Sequence, residues 1–561
     1  MLREFCLAGL FSIMLADSLI AQPAPQQVDR FFDDVYFKFN PTTGTSTGFH
    51  QYDALLEDYS KAGIDAQIQV LHRAEKEFSA LPEDPDRDLI LNYIRATLLN
   101  LEQVRPWEKN PDTYSSGVTN SIFVIMSRTF APASDRLQSV IARERQFPAV
   151  FVAARANLRN PPRIYTEIAI EQLPGIISFF KNDVPTAFKQ VTDAKVLGEF
   201  HQSNDRAIEL LTQYQAFLKN DVLARSHGDF RLGADLYSKK LLYEEMVDLP
   251  LDKLLAIGMA DLRRNQESFQ QTAAKIDPSK TPQQILEEAT RDHPTPDHLL
   301  QSFRDVLGGL KDYITSRHIV TIPSPVLPML EETPPFMRAL TVASMDTPGP
   351  YEKVAKEAFF NVTLPEPSWT PKEVEEHMEG FNRGTIISTA VHEAYPGHYV
   401  QFLWMQTIPS KVRKLLGANT NIEGWAHYCE QMMLDEGYGN GDLKLRLGQL
   451  QDALLRDARY IVGIEMHTGH MTYEQGIDFF VKEGYQTRTN GERETKRGTS
   501  DPTYLYYTLG KLEIMKLRAD YKKKRGSAFT LEEFHDRFMR EGTPPIKIVR
   551  KAMLGDDSPV L

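Results

Sequence analysis

The stretch Thr385–Gln401, TIISTAVHEAYPGHYVQ, constrains this chain more than any other. An apolar, β-branched run delivers His392 and Glu393 side by side, and His398 follows six residues after the first histidine. In the simpler H-E-x-x-H pattern, two histidines one helical turn apart share a metal ion while the glutamate between them faces the bound water. Six residues fail to do this on a regular helix, because at about 100° per residue the second imidazole lies roughly 120° round from the first. Between the two histidines stands Pro396-Gly397. Proline has no N–H to give the carbonyl of His392 and clashes with it, and glycine tolerates the dihedrals that follow. The spacing therefore predicts a bulged or broken turn that swings His398 back towards His392. Two imidazoles beside a carboxylate point to one zinc ion, with Glu393 as general base.

A second segment, NIEGWAHYCE (Asn421–Glu430), sets Glu423, His427 and Glu430 at i, i+4 and i+7 on one helical face. The 25 residues from His398 to Glu423 suit a short turn and an antiparallel helix. A third ligand is expected here. In a glutamate-type zinc site the neighbouring helix contributes a carboxylate, which selects Glu423. The bland alternative makes Glu423 a first-turn acid favoured by the helix dipole and the other two a solvated stripe.

Taken together, HExxPGHxxQ followed by EGWAxYxE is similar to the signature of the bacterial domain of unknown function 885 family, which is grouped by similarity with zinc metallopeptidases. His392, Glu393, Pro396, Gly397, His398 and Gln401 match the first block; Glu423, Gly424, Trp425, Ala426, Tyr428 and Glu430 match the second. A looser likeness is to dipeptidyl peptidase III and to the helical carboxypeptidase Taq and oligopeptidase group. The resemblance extends to an Arg and a His at the spacing of Arg459 and His467, although the acid and glycine usual between them appear as Gly463 and Glu465. It implies that His467 contacts substrate or the oxyanion. In the family's closing block a proline leads to a Tyr-x-x-Gly before a basic helix, positions that Tyr507 and Gly510 take here, with Arg497 ahead of Pro502. Tyr507 is then the implied oxyanion donor, with Tyr504 and Tyr506 as near competitors, and Arg497 or another nearby cation would pair with a substrate's C-terminal carboxylate.

The rest of the chain supplies context. Met1–Ala21, with Arg3, the apolar run CLAGLFSIMLA and Ala21 before QPAPQQ, reads as a secretory signal peptide too short and too weakly flanked to be a stable membrane span. Export to the periplasm or the extracellular space follows. Cys6 leaves with that leader, so Cys429 alone remains; it forms no internal disulfide and is expected to serve packing. A net charge of −12 with no basic cluster argues against a nucleic-acid partner. Apolar residues at three- and four-residue intervals predict amphipathic helices over 62–81, 135–158 and 251–276, and a helix, turn and helix over 441–480. HIVTIP (His318–Pro323), ALTVASM (Ala339–Met345) and AFFNVTL (Ala358–Leu364) read as short strands of a small sheet. AFFNVTL is the expected edge strand, able to pair with an extended substrate, with Asn361 near the cleft.

The expected fold is thus mostly α, a large helical architecture with a deep cleft and a small β-sheet beside the active-site helix. After the leader it forms a single helical unit over 22–561, with lobes of about 22–317 and 318–561. The expected function is zinc-dependent hydrolysis of peptides, of carboxypeptidase or dipeptidase type, by an exported enzyme. Two alternatives stand beside it: a metal-dependent amidase or esterase acting on a cell-wall fragment or small metabolite, and a non-catalytic peptide-binding protein with a structural metal. A structural metal has no need of Glu393.

Overall fold

The computed structural model describes residues 23–338 and 341–561, so the expected leader, Met1–Ala21, lies outside the described residues. Helices make up most of the chain. Those around the site are α1 (Arg163–Ser178), α2 (Leu251–Ile276), α3 (Arg383–Glu393), α4 (His398–Met405), α5 (Asn419–Asp435), α6 (Leu443–His467), α7 (Arg488–Ser500) and α8 (Tyr506–Arg525). Helix α2 has the bounds its periodicity predicts. The pattern over 62–81 becomes Lys61–Ser79, entered through the Ser60 side chain, which accepts the amide N–H of Gly63. The pattern over 135–158 is cut into Ala133–Glu144 and Phe147–Asn157. The cut falls where Pro148 has no N–H for the carbonyl of Glu144.

Three strands, β1 (Met329–Glu332), β2 (Ala343–Asp346) and β3 (Phe359–Val362), form one sheet in the order β1-β3-β2, with β3 parallel to β1 and antiparallel to β2. Two strand expectations are corrected here. HIVTIP is not a strand: Ile319 and Val320 are buried against the helix Leu299–Ser316, and the prolines at 323, 325 and 328 remove the donors a ladder needs. The AFFNVTL segment is a strand, but it lies in the middle of the sheet. Phe360 and Val362 are buried, with the Phe360 ring edge-on to Phe303 at 5.2 Å, and neighbours on both sides take up the backbone groups of β3. Asn361 is buried as well, its amide 3.5 Å from the Ser344 hydroxyl, and it does not line the cleft. The sheet edge that does is β2, through Ala343, Ser344 and Met345.

Apolar packing joins the two halves of the sequence. One cluster wraps β3, α3, α4, α5 and α8 around Phe303, Phe360, Val391, Trp425 and Leu517, and a second fills the helices between 112 and 222 around Val118, Phe147, Phe180 and Tyr214. A third ties Phe31, Phe32 and Phe78 to Leu416 and Ile548, and α2 lies along α6 through Leu262, Phe269, Leu450 and Ile461.

Two helix crossings bring backbones into direct contact. A Cβ on Gly510 of α8 would stand 1.9 Å from the carbonyl oxygen of Thr420 on α5, and one on Gly448 of α6 would stand 2.6 Å from the Cα of Gly384 on α3. Two of the three helices that carry the proposed ligands, α3 and α5, therefore rest on a partner with no side chain between them. Gly510→Ala has no room without parting α5 from α8, and a loss of about 1–3 kcal/mol or more is expected in denaturant unfolding; an unchanged midpoint would show that the crossing has slack.

A second prediction concerns pH. Glu144 is buried on the helix Ala133–Glu144 with the Ser203 hydroxyl as its donor, and burial pushes its carboxyl up to about 8. A carboxyl whose folded value is raised binds its proton more tightly in the native state. Its stability contribution is fully present below the unfolded value of roughly 4.3 and is lost as pH rises towards the folded value. Glu144→Gln cannot ionise, so its Tm should gain on wild type steadily from pH 5 to about pH 8 and level off above it, and parallel Tm curves over pH 5–8 would refute the assignment.

Candidate metal centre

Helix α3 starts at Asn382, whose side chain accepts the amides of Gly384 and Thr385 at 3.0 and 3.1 Å. It ends at Glu393, and α4 begins at His398, so the predicted break is present. The turn between them carries a cis Tyr395–Pro396 bond, and the Gly397 amide donates back to the Val391 carbonyl at 3.0 Å. A Cβ at position 397 would lie 1.8 Å from the His392 carbonyl oxygen. Only glycine allows this approach. The turn is tied to α5 by the Trp425 indole N–H, which donates to the Pro396 carbonyl at 2.9 Å. The Gln401 amide on α4 reaches Asn421 on α5 at 2.9 Å.

The break brings His398 back to His392, with ring centroids 4.8 Å apart at 86°. The Nε2 atoms of both lie 3.3 Å from Oε2 of Glu423, and the three side chains offer ligand atoms within 4.8 Å of one another. Donors placed tetrahedrally about 2.0–2.1 Å from a zinc ion stand about 3.3 Å apart. Two imidazoles and a carboxylate at this spacing fit a zinc-type ion, and the predicted ligand set is brought together.

Behind the ligands lies a buried charge cluster. Glu430 accepts from His392 Nδ1 at 2.7 Å and from His427 Nδ1 at 3.2 Å, and pairs with the Arg456 guanidinium at 2.8 Å. Burial opposes its ionisation, but Arg456 and then His427 outweigh it and hold the carboxyl far below the usual range. Burial holds His427 neutral, down at about 3. With Nδ1–H of His392 committed to Glu430, Nε2 is the nitrogen turned towards Glu423, and it is the one that would bind an ion in exchange for its proton. For His392 itself burial works against protonation, yet Glu423 and Glu430 carry it up to about 9. That balance marks the spot as attractive to a cation.

Glu393 lines the same cleft, and among the described residues its carboxylate has no hydrogen-bond or ion-pair partner. Tyr507 faces it across the site, its ring stacked 6.2 Å from that of His392. The Arg497 guanidinium donates to the Tyr507 oxygen at 3.1 Å, which leaves the phenol proton free to be donated elsewhere. Burial raises the Tyr507 pKa above 10, so this donor keeps its proton. Of its competitors, Tyr506 gives its hydroxyl to Asp501 at 2.9 Å and Tyr504 is fully buried. Arg497 also lines the cleft, but it is already paired with Asp501 at 3.1 Å.

The expectation for His467 is corrected. It sits at the C-terminal end of α6, donates Nε2–H to the Gly498 carbonyl at 2.8 Å and packs against Phe230 and Tyr237, away from the cleft. Burial lowers it to about 4, so it is a neutral structural side chain. Cys429 is buried, as expected, and burial pushes its thiol up. Sequence reading missed Arg456 and treated Glu430 as part of a stripe. The cue was available: Arg456 and Arg459 stand three apart among the apolar residues Ala453, Leu454, Ala458, Ile461 and Val462, where a buried cation needs an acid. For Arg459 that acid is Glu494, bound at 2.7 and 2.9 Å.

A family model described as a bacterial protein of unknown function, DUF885, matches residues 41–553. Two solved structures are similar over nearly the whole chain. One is a candidate lipoprotein of unknown function from Shewanella oneidensis, 28% identical, with a TM-score of 0.77 over 95% of this chain and 100% of the other. The second is a candidate lipoprotein from Colwellia psychrerythraea, 17% identical, with a TM-score of 0.79 over 94% and 98%. No curated protein matches the chain. Among the described residues no helix is long and apolar enough to cross a membrane.

Glu430→Gln removes the charge that orients His392 and balances Arg456. Zinc affinity measured by competition with a chelator should fall about 10- to 100-fold. Unchanged affinity would mean that His392 is held by its packing alone.

Proposed function

We propose that this chain, which belongs to the bacterial family of unknown function DUF885, is an exported metal-dependent peptide hydrolase of the carboxypeptidase or dipeptidase type. The observation that carries this reading is the unpartnered Glu393 carboxylate, open to the cleft beside the His392, His398 and Glu423 donor set. A purely structural metal site gives no reason to keep an unpaired charge there.

A zinc-type ion on those three side chains would supply Lewis-acid polarisation of the scissile carbonyl and acidify the attacking water. Glu393 takes the proton from that water and returns it to the leaving amine. Tyr507 donates its O–H to the developing oxyanion, and Arg497 holds the phenol oxygen in place while doing so. Glu430 fixes the His392 ring through Nδ1.

The cleft is about 1560 Å³, larger than the roughly 300–1,000 Å³ of small-molecule pockets. Its β2 edge, Ala343–Met345, offers unpaired main-chain groups to an extended peptide without reading its side chains. A cell-envelope location is consistent with the leader-like start and with the candidate lipoprotein from Shewanella oneidensis.

The test is Glu393→Gln, assayed with wild type on a peptide library after zinc loading. The variant should keep its zinc and lose about 10²- to 10⁴-fold in kcat. A variant as active as wild type ends the general-base role, and a zinc-loaded wild type that cleaves esters or small amides but no peptide favours the amidase alternative.

A further inference from the structure

Helix α7 lines the cleft with Asn490, Arg493, Lys496 and Arg497. Most cations facing the cleft are neutralised by a carboxylate within reach. Arg338 pairs with Glu332 and Glu366 at 2.8 and 3.0 Å, Arg456 with Glu430 at 2.8 Å, Arg459 with Glu494 at 2.7 Å, Lys496 with Glu171 at 2.8 Å and Arg497 with Asp501 at 3.1 Å. Arg493 departs from this pattern. Among the described residues it has no carboxylate partner; Nη2 donates to the neutral Asn490 amide oxygen at 2.6 Å, and the buried Nε has no partner at all.

The one counter-charge that acts on it from nearby is already shared. Glu494, next along the chain, is committed to Arg459 through both oxygens. His377, which also lines the cleft, gives Nε2–H to the Thr363 carbonyl at 2.8 Å, and burial and then the nearby Arg493 cation hold it neutral. Burial, joined by the crowding of Arg459 and Arg497, outweighs the pull of Glu494 and presses the Arg493 guanidinium towards a lower proton affinity, though it stays a cation at neutral pH. A planar, five-donor group left without its anion in a water-poor wall is costly unless an anion arrives with the ligand.

Position strengthens the point. Arg493 stands one helical turn before Arg497, about 6 Å along α7, and Arg497 bonds the Tyr507 hydroxyl beside His392. On the other side His377 is tied to Thr363, whose amide donates to the Val342 carbonyl at the start of β2. Arg493 therefore lies between the catalytic tyrosine and one end of the free sheet edge.

We infer that Arg493 is the carboxylate-binding residue of the cleft and that substrates are held there by a carboxylate, supplied either by the peptide's free C-terminus or by an acidic side chain. This deepens the hydrolase reading by naming the substrate class, and it replaces Arg497, whose charge is already spent on Asp501.

The experiment measures binding without turnover. The zinc-loaded full chain carrying Glu393→Gln is titrated calorimetrically with N-acetyl-trialanine as free acid, with its C-terminal amide, and with an amide in which one alanine is glutamate. At least one carboxylate-bearing peptide should bind about 10- to 100-fold tighter than the plain amide, the range for a hydrogen-bonded charge. Adding Arg493→Ala should erase that advantage and leave the affinity for the plain amide as it was, with zinc content and Tm unchanged. Preference for the free acid identifies the C-terminus, and preference for the glutamate amide identifies a side chain. Equal binding of all three peptides, or a loss with Arg493→Ala that is the same for all, overturns the inference. Carboxylate-dependent binding by a protein whose wild type hydrolyses nothing would keep Arg493 and remove the peptidase reading. Hydrolysis indifferent to carboxylates would do the reverse.

Discussion

The backbone contact between Gly397 and the last turn of α3 is what the candidate metal centre depends on. Without it a six-residue spacing would leave the two imidazoles on different sides of one helix. With it, α4 starts again directly over the end of α3, and the Trp425 indole holds the turn from α5. Further out, the same device recurs: Gly384 against Gly448, and Gly424 against Gly510. Each ligand-bearing helix is thus positioned by a backbone, which has one shape, and not by a side chain, which has several rotamers. A site that must hold three donors about 3.3 Å apart benefits from that stiffness.

Electrostatics completes what the backbone begins. Glu430 is fully buried, and a lone carboxylate there would be heavily penalised. It is acceptable because Arg456, His392 and His427 all donate to it. Removing any one partner leaves the others mismatched, so the cluster acts as a unit that fixes the His392 tautomer. The charge on His392 and the charge on Glu423 respond to each other through the same 3.3 Å contact.

How much of this was legible in the sequence follows from the range of the interactions. The helix break and the convergence of His392, His398, Glu423 and Glu393 were readable because they rest on local chemistry: proline without an N–H, glycine under a carbonyl, and side chains on one helical face. Helix α2 was readable to the residue from its period. The small sheet was readable through AFFNVTL and ALTVASM, but its order was not, because strand order is a matter of partners: AFFNVTL looks the same at an edge or in the middle, and β1 paired with it from a stretch rich in proline. His467 failed for a related reason. Spacing along α6 places it on a helix, but only packing against Phe230 and Tyr237 shows that its face turns from the cleft. Charge pairing is equally non-local. Arg459, Arg493 and Arg497 are alike in sequence, and what separates them is which has an acid opposite.

That separation bears on how the cleft came to be charged as it is. Folding alone would favour neutralising every buried ion, and along α6 and α7 it nearly does so. Two side chains stand apart: Glu393 on one side of the ligand set, and Arg493 on the other side of Tyr507. Neither stabilises the native state through a partner within the chain, and each is dearer to leave open than a surface charge. On the proposed reading, an acid beside the donor set and a cation about 6 Å beyond the tyrosine's anchor would complement a peptide bond with a carboxylate near it. The unneutralised charges, more than the neutralised ones, describe the molecule that this cleft is shaped to receive.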